Sequence, residues 1–188
     1  MKSICLIGGV DKRVISYPLI KCLGLIGKTI VITDDGVYRR FGDNYETEFE
    51  IGQTEFKVMP VIPKNVDDLG INLNNYDYVV YITTNELIHS DKVVYCHGVE
   101  KAIAPPEVLS VLDGIEHVDI TLTMSKVEKG TLSIGYSKEA MGYICNCEEY
   151  KEFVPCNGAS FTTLMDTLFG DIFNMSKDNM KKLLARKE

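Results

Sequence analysis

Residues 3–34 read Ser-Ile-Cys-Leu-Ile-Gly-Gly-Val-Asp-Lys-Arg-Val-Ile-Ser-Tyr-Pro-Leu-Ile-Lys-Cys-Leu-Gly-Leu-Ile-Gly-Lys-Thr-Ile-Val-Ile-Thr-Asp. Two short apolar runs, residues 3–8 and 29–33, are closed by Gly8-Gly9 and by Asp34-Asp35-Gly36, so each reads as a strand buried on both faces. Between them Val14, Ile15, Leu19, Ile20, Leu23 and Ile26 recur at helical spacing over residues 14–26. Gly27 supplies a stop, and Pro18 requires the helix to begin close to it. Strand, helix, strand is a βαβ unit, which predicts parallel strands in one sheet and a right-handed crossover.

Outward from that unit, Phe56–Ile62 and Tyr78–Thr83 are strand candidates and Val118–Met124 alternates as a strand does. Pro105–Leu112 reads as a helix with prolines at its start. Phe161, Leu164, Met165, Leu168, Phe169, Ile172 and Phe173 make the clearest amphipathic helix in the chain, with its apolar stripe toward a core. No repeat, low-complexity tract or linker interrupts the order. The expected fold is α/β, a single doubly wound, mostly parallel sheet flanked by helices over residues 1–176, with a short basic amphipathic helix or tail over 177–188.

The chain has 188 residues, 45% hydrophobic and 25% charged, which is ordinary globular composition and excludes disorder and collagen. There are 20 basic against 27 acidic residues, a net charge of −7, and residues 43–55 carry Asp43, Glu46, Glu48, Glu50 and Glu55 with no basic residue among them. That balance speaks against a nucleic-acid surface. Six cysteines are too sparse for a disulfide scaffold, and Cys5 and Cys22 fall in apolar patterns, so reduced thiols and a cytoplasmic location are expected. The apolar start ends at Asp11-Lys12-Arg13, too early for a signal sequence, and no apolar run reaches the ~18 residues of a spanning helix.

Chemistry is sought first where the first strand opens into its helix, because backbone N–H groups and the helix dipole converge there on an anion. The loop reads Gly8-Gly9-Val10-Asp11-Lys12-Arg13. It resembles the loop Lys-Gly-Gly-Val-Gly-Lys-Thr of the MinD/ParA group of deviant Walker-type ATPases. The likeness continues through Leu19–Asp34, similar to the family's first helix and second strand with its terminal magnesium-positioning Asp. Asn75–Thr83 is similar to the Walker B strand. The resemblance implies a P-loop NTPase-like fold and a nucleotide loop made by Gly8, Gly9, Asp11, Lys12, Arg13 and Asp34.

The departures fall on the chemistry. Ile7 stands for the family's signature lysine, Asp11 for its close-approach glycine, Arg13 for its magnesium-binding hydroxyl, and Ile82 for the Walker B Asp. Asp11 would face the phosphates, and like charges about 4 Å apart repel by roughly 4 kcal/mol at an effective dielectric near 20. Arg13 and Ile82 offer no oxygen to a metal. Without that metal positioning, phosphoryl transfer loses its charge neutralisation, so the reading is a pseudo-ATPase with no catalytic residue, no bound metal and no required cofactor. ATP or ADP held with little or no magnesium is the alternative.

Elsewhere Cys145, Cys147 and Cys156, with Cys96-His97, have the wrong spacing for structural zinc and read as ordinary thiols. His89, His97 and His117 lie in no nucleophile motif, and Asp34-Asp35 is either a site at a strand's carboxyl end or a cap. The resemblance implies association with a second copy or a related ATPase, in positioning or assembling a larger cellular machine; across the face bearing Gly8–Arg13 and Asp34, a loop carrying both Asp11 and Arg13 can form reciprocal charged contacts about a two-fold axis. It also implies at most a weak peripheral membrane contact through Met180, Lys181, Lys182, Leu183 and Leu184, against which a terminal helix docked on its own domain is the simpler reading. The rival readings are an ATPase with an unconventional loop and a ligand-binding or sensory module.

Overall fold

The computed structural model describes residues 1–98, 106–123, 133–135, 158–176, 178–179 and 182. Among them the chain forms an eight-stranded sheet: β1 (Lys2–Ile7), β2 (Thr29–Thr33), β3 (Glu48–Ile51), β4 (Thr54–Val58), β5 (Tyr78–Thr83), β6 (Lys92–His97), β7 (Val118–Thr123) and β8 (Ser133–Gly135). The spatial order is β3-β4-β2-β5-β1-β6-β7-β8, and every pair is parallel except the β3–β4 hairpin. The helices are α1 (Arg13–Ile26), α2 (Pro106–Leu112) and α3 (Gly158–Phe173).

Period-two alternation sorts the strands into two apolar layers. Ile4 and Leu6 of β1, with Val31, Val80, Ile82 and Val94, meet α1 and α3 on one face. Cys5 and Ile7, with Ile30, Ile32, Val79 and Tyr81, meet α2 and the segment holding Ile62, Leu69 and Tyr76 on the other. Both faces are covered, as the sequence predicts for a doubly wound sheet.

Several expectations are corrected. β1 and β2 are parallel members of one sheet, but β5 lies between them and pairs with both. The strand expected over Phe56–Ile62 is Thr54–Val58, since Pro60 and Pro63 cannot serve a ladder; Ile62 is buried outside it. Gly8 lies beyond β1 rather than within it. α1 begins at Arg13 and carries Pro18 in its second turn, forgoing one backbone hydrogen bond that the burial of Leu19, Ile20 and Leu23 offsets. β3, β6 and β8 are elements the pattern reading did not assign. No described helix is long and apolar enough to cross a membrane. Met124, Cys145, Cys147, Cys156 and the tail residues Lys177, Met180, Lys181 and 183–188 lie outside the described residues.

Candidate functional site

β1 emerges between β5 and β6, and its loop is pinned to both. Gly8 donates its N–H to Thr83 O at 3.1 Å and has φ +140°. A Cβ there would stand 1.9 Å from Cys96 O, a backbone atom, so only glycine fits. Gly9 has open space where its Cβ would be, so no contact there demands glycine.

Lys12 is the residue the loop closes around. Its side chain is buried, and Nζ donates to Gly8 O and, at 3.2 Å, to Val10 O. The ammonium is therefore held by the loop's own carbonyls. Its carbonyl in turn accepts from Ile15 and Ser16, starting α1.

Asp11 and Arg13 form a clasp within the loop. Asp11 Oδ1 accepts from the Arg13 backbone N–H at 3.0 Å and from Nε at 2.9 Å, while Oδ2 accepts from Nη2 at 2.6 Å. Burial pushes the Asp11 pKa up, but the Arg13 hydrogen bonds and positive charge outweigh it and leave the carboxyl below its ordinary value of 3.8. The two charges expected to reach across a two-fold axis thus face each other inside one chain.

On the neighbouring strands, Asp34 follows β2 and both its oxygens accept from the Thr84 backbone N–H, at 3.1 and 2.9 Å, with Thr84 Oγ1 adding a bond at 3.0 Å. Asp35 caps the following 3-10 turn, Gly36–Phe41, by accepting from Val37 N at 3.0 Å. The acidic pair therefore serves as clamp and cap. A shallow cleft of about 340 Å³ is lined by Gly9, Asp11, Lys12, Arg13, Asp35 and Thr84, together with Val10 and Val37, so Asp35 rather than Asp34 joins the loop. Ile82 is buried in the layer under α1, one residue short of the end of β5, and the rim falls to Thr84.

Three contributors went unread in the sequence. Thr84 follows a recognised strand and sits beside an Asp only through the β2–β5 pairing. Ser16 Oγ and Tyr38 OH share a buried hydrogen bond from α1 to the 3-10 turn, and burial raises the Tyr38 pKa well above 10.0. β6 supplies the carbonyl that fixes Gly8; the run Val93–Cys96 was a legible signal for it.

Among the described residues, thiol chemistry has little footing. Burial pushes Cys5 up to about 11 and Cys22 and Cys96 up to about 12, which disfavours the thiolate. Cys96 and His97 are successive strand residues and point to opposite faces. Among the described residues no group of three His, Cys, Asp or Glu could hold a metal.

The strand order and the helices on both faces define a doubly wound α/β fold of the P-loop NTPase-like kind. Its structure is similar to that of a plasmid partition protein from Borrelia burgdorferi B31 bound to AMPPNP, with a TM-score of 0.60 and 13% identity over 91% of this chain and 100% of that one. At that identity the likeness establishes the fold. No protein-family model and no curated protein matches the sequence.

Proposed function

We propose that this chain is a MinD/ParA-like protein that has lost nucleotide hydrolysis and works by protein association, in positioning or assembling a larger cellular machine. The carrying observation is the Asp11–Arg13 clasp: the residue standing where the family has its magnesium-binding hydroxyl is a guanidinium bound to a neighbouring carboxylate. Ile82, buried under α1, adds no oxygen, and Asp34 spends both carboxylate oxygens on Thr84. These residues do not fit a magnesium ion held in the family's manner, so no phosphoryl-transfer step is derived through one.

The fold shared with a partition protein supports a partition-related role. The partner is a second copy or a related ATPase, met through the face bearing Gly8–Arg13. Since Asp11 and Arg13 satisfy each other, they contribute shape and a paired charge to that face rather than free charges.

The test is magnesium-dependent ATP hydrolysis by the purified chain, with equilibrium titration of ATP and ADP and sedimentation across a concentration series. Turnover at background with concentration-dependent self-association is expected. Turnover clearly above background and abolished by Lys12→Ala overturns the loss of hydrolysis. A strict monomer that an Arg13→Glu change leaves able to capture every native partner overturns association through this face.

A further inference from the structure

The chain has two Asp-Gly steps, Asp35-Gly36 and Asp113-Gly114, and both lie among the described residues. Such a step carries its own chemistry. A five-membered ring closes when the glycine nitrogen attacks the side-chain carboxyl carbon before it, and glycine has no Cβ to shield that nitrogen. The two steps differ in what holds the carboxylate. Asp35 Oδ1 accepts from Val37 N at 3.0 Å as the cap of the 3-10 turn Gly36–Phe41, with an extended backbone of φ −84° and ψ 106°. Asp113 is engaged by no hydrogen bond or ion pair among the described residues.

Asp113 and Gly114 are both exposed, in the turn between α2 and β7 that Ile115 N closes on Leu112 O at 3.0 Å. Gly114 has φ +75°, a conformation that favours glycine, and open space where a Cβ would be. The turn lines an open hollow of about 510 Å³ with Leu109, Ser110 and His117, so water reaches it. We propose that Asp113-Gly114 is a self-modification site, where the folded chain converts Asp113 to isoaspartate through a succinimide, while Asp35-Gly36 is protected by its cap.

In the first step the Gly114 amide nitrogen gives up its proton and attacks Cγ of the protonated Asp113 carboxyl. An N–Cγ bond forms, the Cγ–OH bond breaks, and the hydroxide leaves with the amide proton as water. In the second step one water adds to the ring. Opening at the N–Cγ bond returns aspartate. Opening between Asp113 C and Gly114 N sends the main chain through Cβ and Cγ and leaves a free α-carboxylate. Composition is unchanged and nothing is oxidised or reduced; the main chain gains one carbon. Asp35 reaches the same ring only after releasing Val37 N, which opens the turn that it starts.

The added carbon lies between Leu112 and Gly114, inside the closed turn, so the bond from Ile115 N to Leu112 O cannot keep its geometry. Ile115 O in turn accepts from His117 Nδ1 at 2.7 Å, and His117 Nε2 lies 3.6 Å from Asp119 Oδ1 on β7. The modification therefore reaches the start of β7 through Ile115 and His117. This turn stands at the amino end of β7, away from the β1 loop, and the inference is independent of the loop's reading.

The experiment incubates the full-length chain, folded and in urea, at mildly acidic to neutral pH. Peptides are mapped by mass spectrometry, with an isoaspartate-directed methyltransferase and labelled S-adenosylmethionine as the probe. In the folded chain, isoaspartate at position 113 should accumulate about tenfold faster than at 35, the order of protection that a capping hydrogen bond to a carboxylate gives. In urea, where cap and turn are gone, the two positions should convert at similar rates. Asp113→Glu keeps the charge but would need a six-membered ring, so it should remove the folded-chain signal at 113 and leave the melting temperature unchanged. In NMR spectra of the converted fraction, the amide signals of Ile115 and His117 should move and those of residues 34–38 should not. Conversion at 35 as fast as at 113 in the folded chain, or no conversion at 113 while the urea sample converts, would overturn the assignment. Unmoved Ile115 and His117 signals would overturn the effect on β7.

Discussion

Gly8 shows how much of this loop is fixed by one missing methyl group. Alanine there meets two penalties at once, a φ of +140° and a backbone oxygen 1.9 Å from its Cβ, and Cys96 O cannot step aside without disturbing β6. Gly8→Ala should therefore cost on the order of 3 kcal/mol or more in chemical denaturation, whereas Gly9→Ala should stay near 0.5 kcal/mol. Equal effects would show that the loop does not sit as described. The Asp11–Arg13 clasp has a different signature. Because the Asp11 pKa is depressed on folding, its contribution is present above the ordinary value of 3.8 and is lost as pH falls through the lower folded value. Asp11→Ala should cost about 1 kcal/mol at neutral pH, discounted for partial exposure, and the difference from the parent chain should shrink below about pH 4. A penalty that persists undiminished in urea melts at pH 2.5–3 would assign it to packing instead of the ionised carboxylate.

At the scale of elements, the unit over residues 3–34 was legible because apolar runs, helical spacing and a glycine stop agree, and β2 and β5 match the predicted spans residue for residue. The insertion of β5 between β1 and β2 was not legible, since strand order depends on pairing across the sheet. β3 was hidden by its charge: Glu48-Phe49-Glu50-Ile51 alternates, but its carboxylates read as a solvated run. In the structure those carboxylates line an edge strand, where charge discourages pairing with other chains. Glu48 pairs with Lys57 at 3.1 Å, and Glu55, opposite Glu50, is bound by Lys28 at 2.9 Å and by the Tyr76 hydroxyl. The site's supports were hidden for the same reason as the strand order. Ser16 and Tyr38 are 22 residues apart, and only packing of α1 on the 3-10 turn brings their hydroxyls together. Removing one leaves the other buried and unsatisfied, so Ser16→Ala and Tyr38→Phe should each cost about 1–3 kcal/mol, and the double variant clearly less than their sum. Strict additivity in denaturation would mean that the hydroxyls do not share a bond.

Across the molecule, the carboxyl ends of β1, β2 and β5 are tied up by contacts within the chain. The β1 loop spends Lys12 on its own carbonyls and Asp11 on Arg13, while the ends of β2 and β5 are joined by Asp34 and Thr84. On the proposed reading, changing the β1 loop alone should therefore improve nucleotide binding without bringing turnover. Asp11→Gly with Arg13→Thr removes the ion pair that fills the loop and places a hydroxyl there, and on the proposed reading nucleotide affinity should rise about tenfold, a change of about 1.4 kcal/mol. Turnover should stay at background, because β5 still ends without a carboxylate. Adding Ile82→Asp is not a remedy: Ile82 is wholly buried, pairs in register with Leu6 and Thr33, and packs in the layer under α1. An unpartnered carboxylate there costs several kcal/mol, a large part of a domain's stability, so the triple variant should melt far below the parent. Binding titration, hydrolysis assay and thermal melting on the same three proteins separate these outcomes. Unchanged affinity in the double variant would mean that the clasp does not guard the loop, and hydrolysis in it would mean that β5 is not needed for metal positioning.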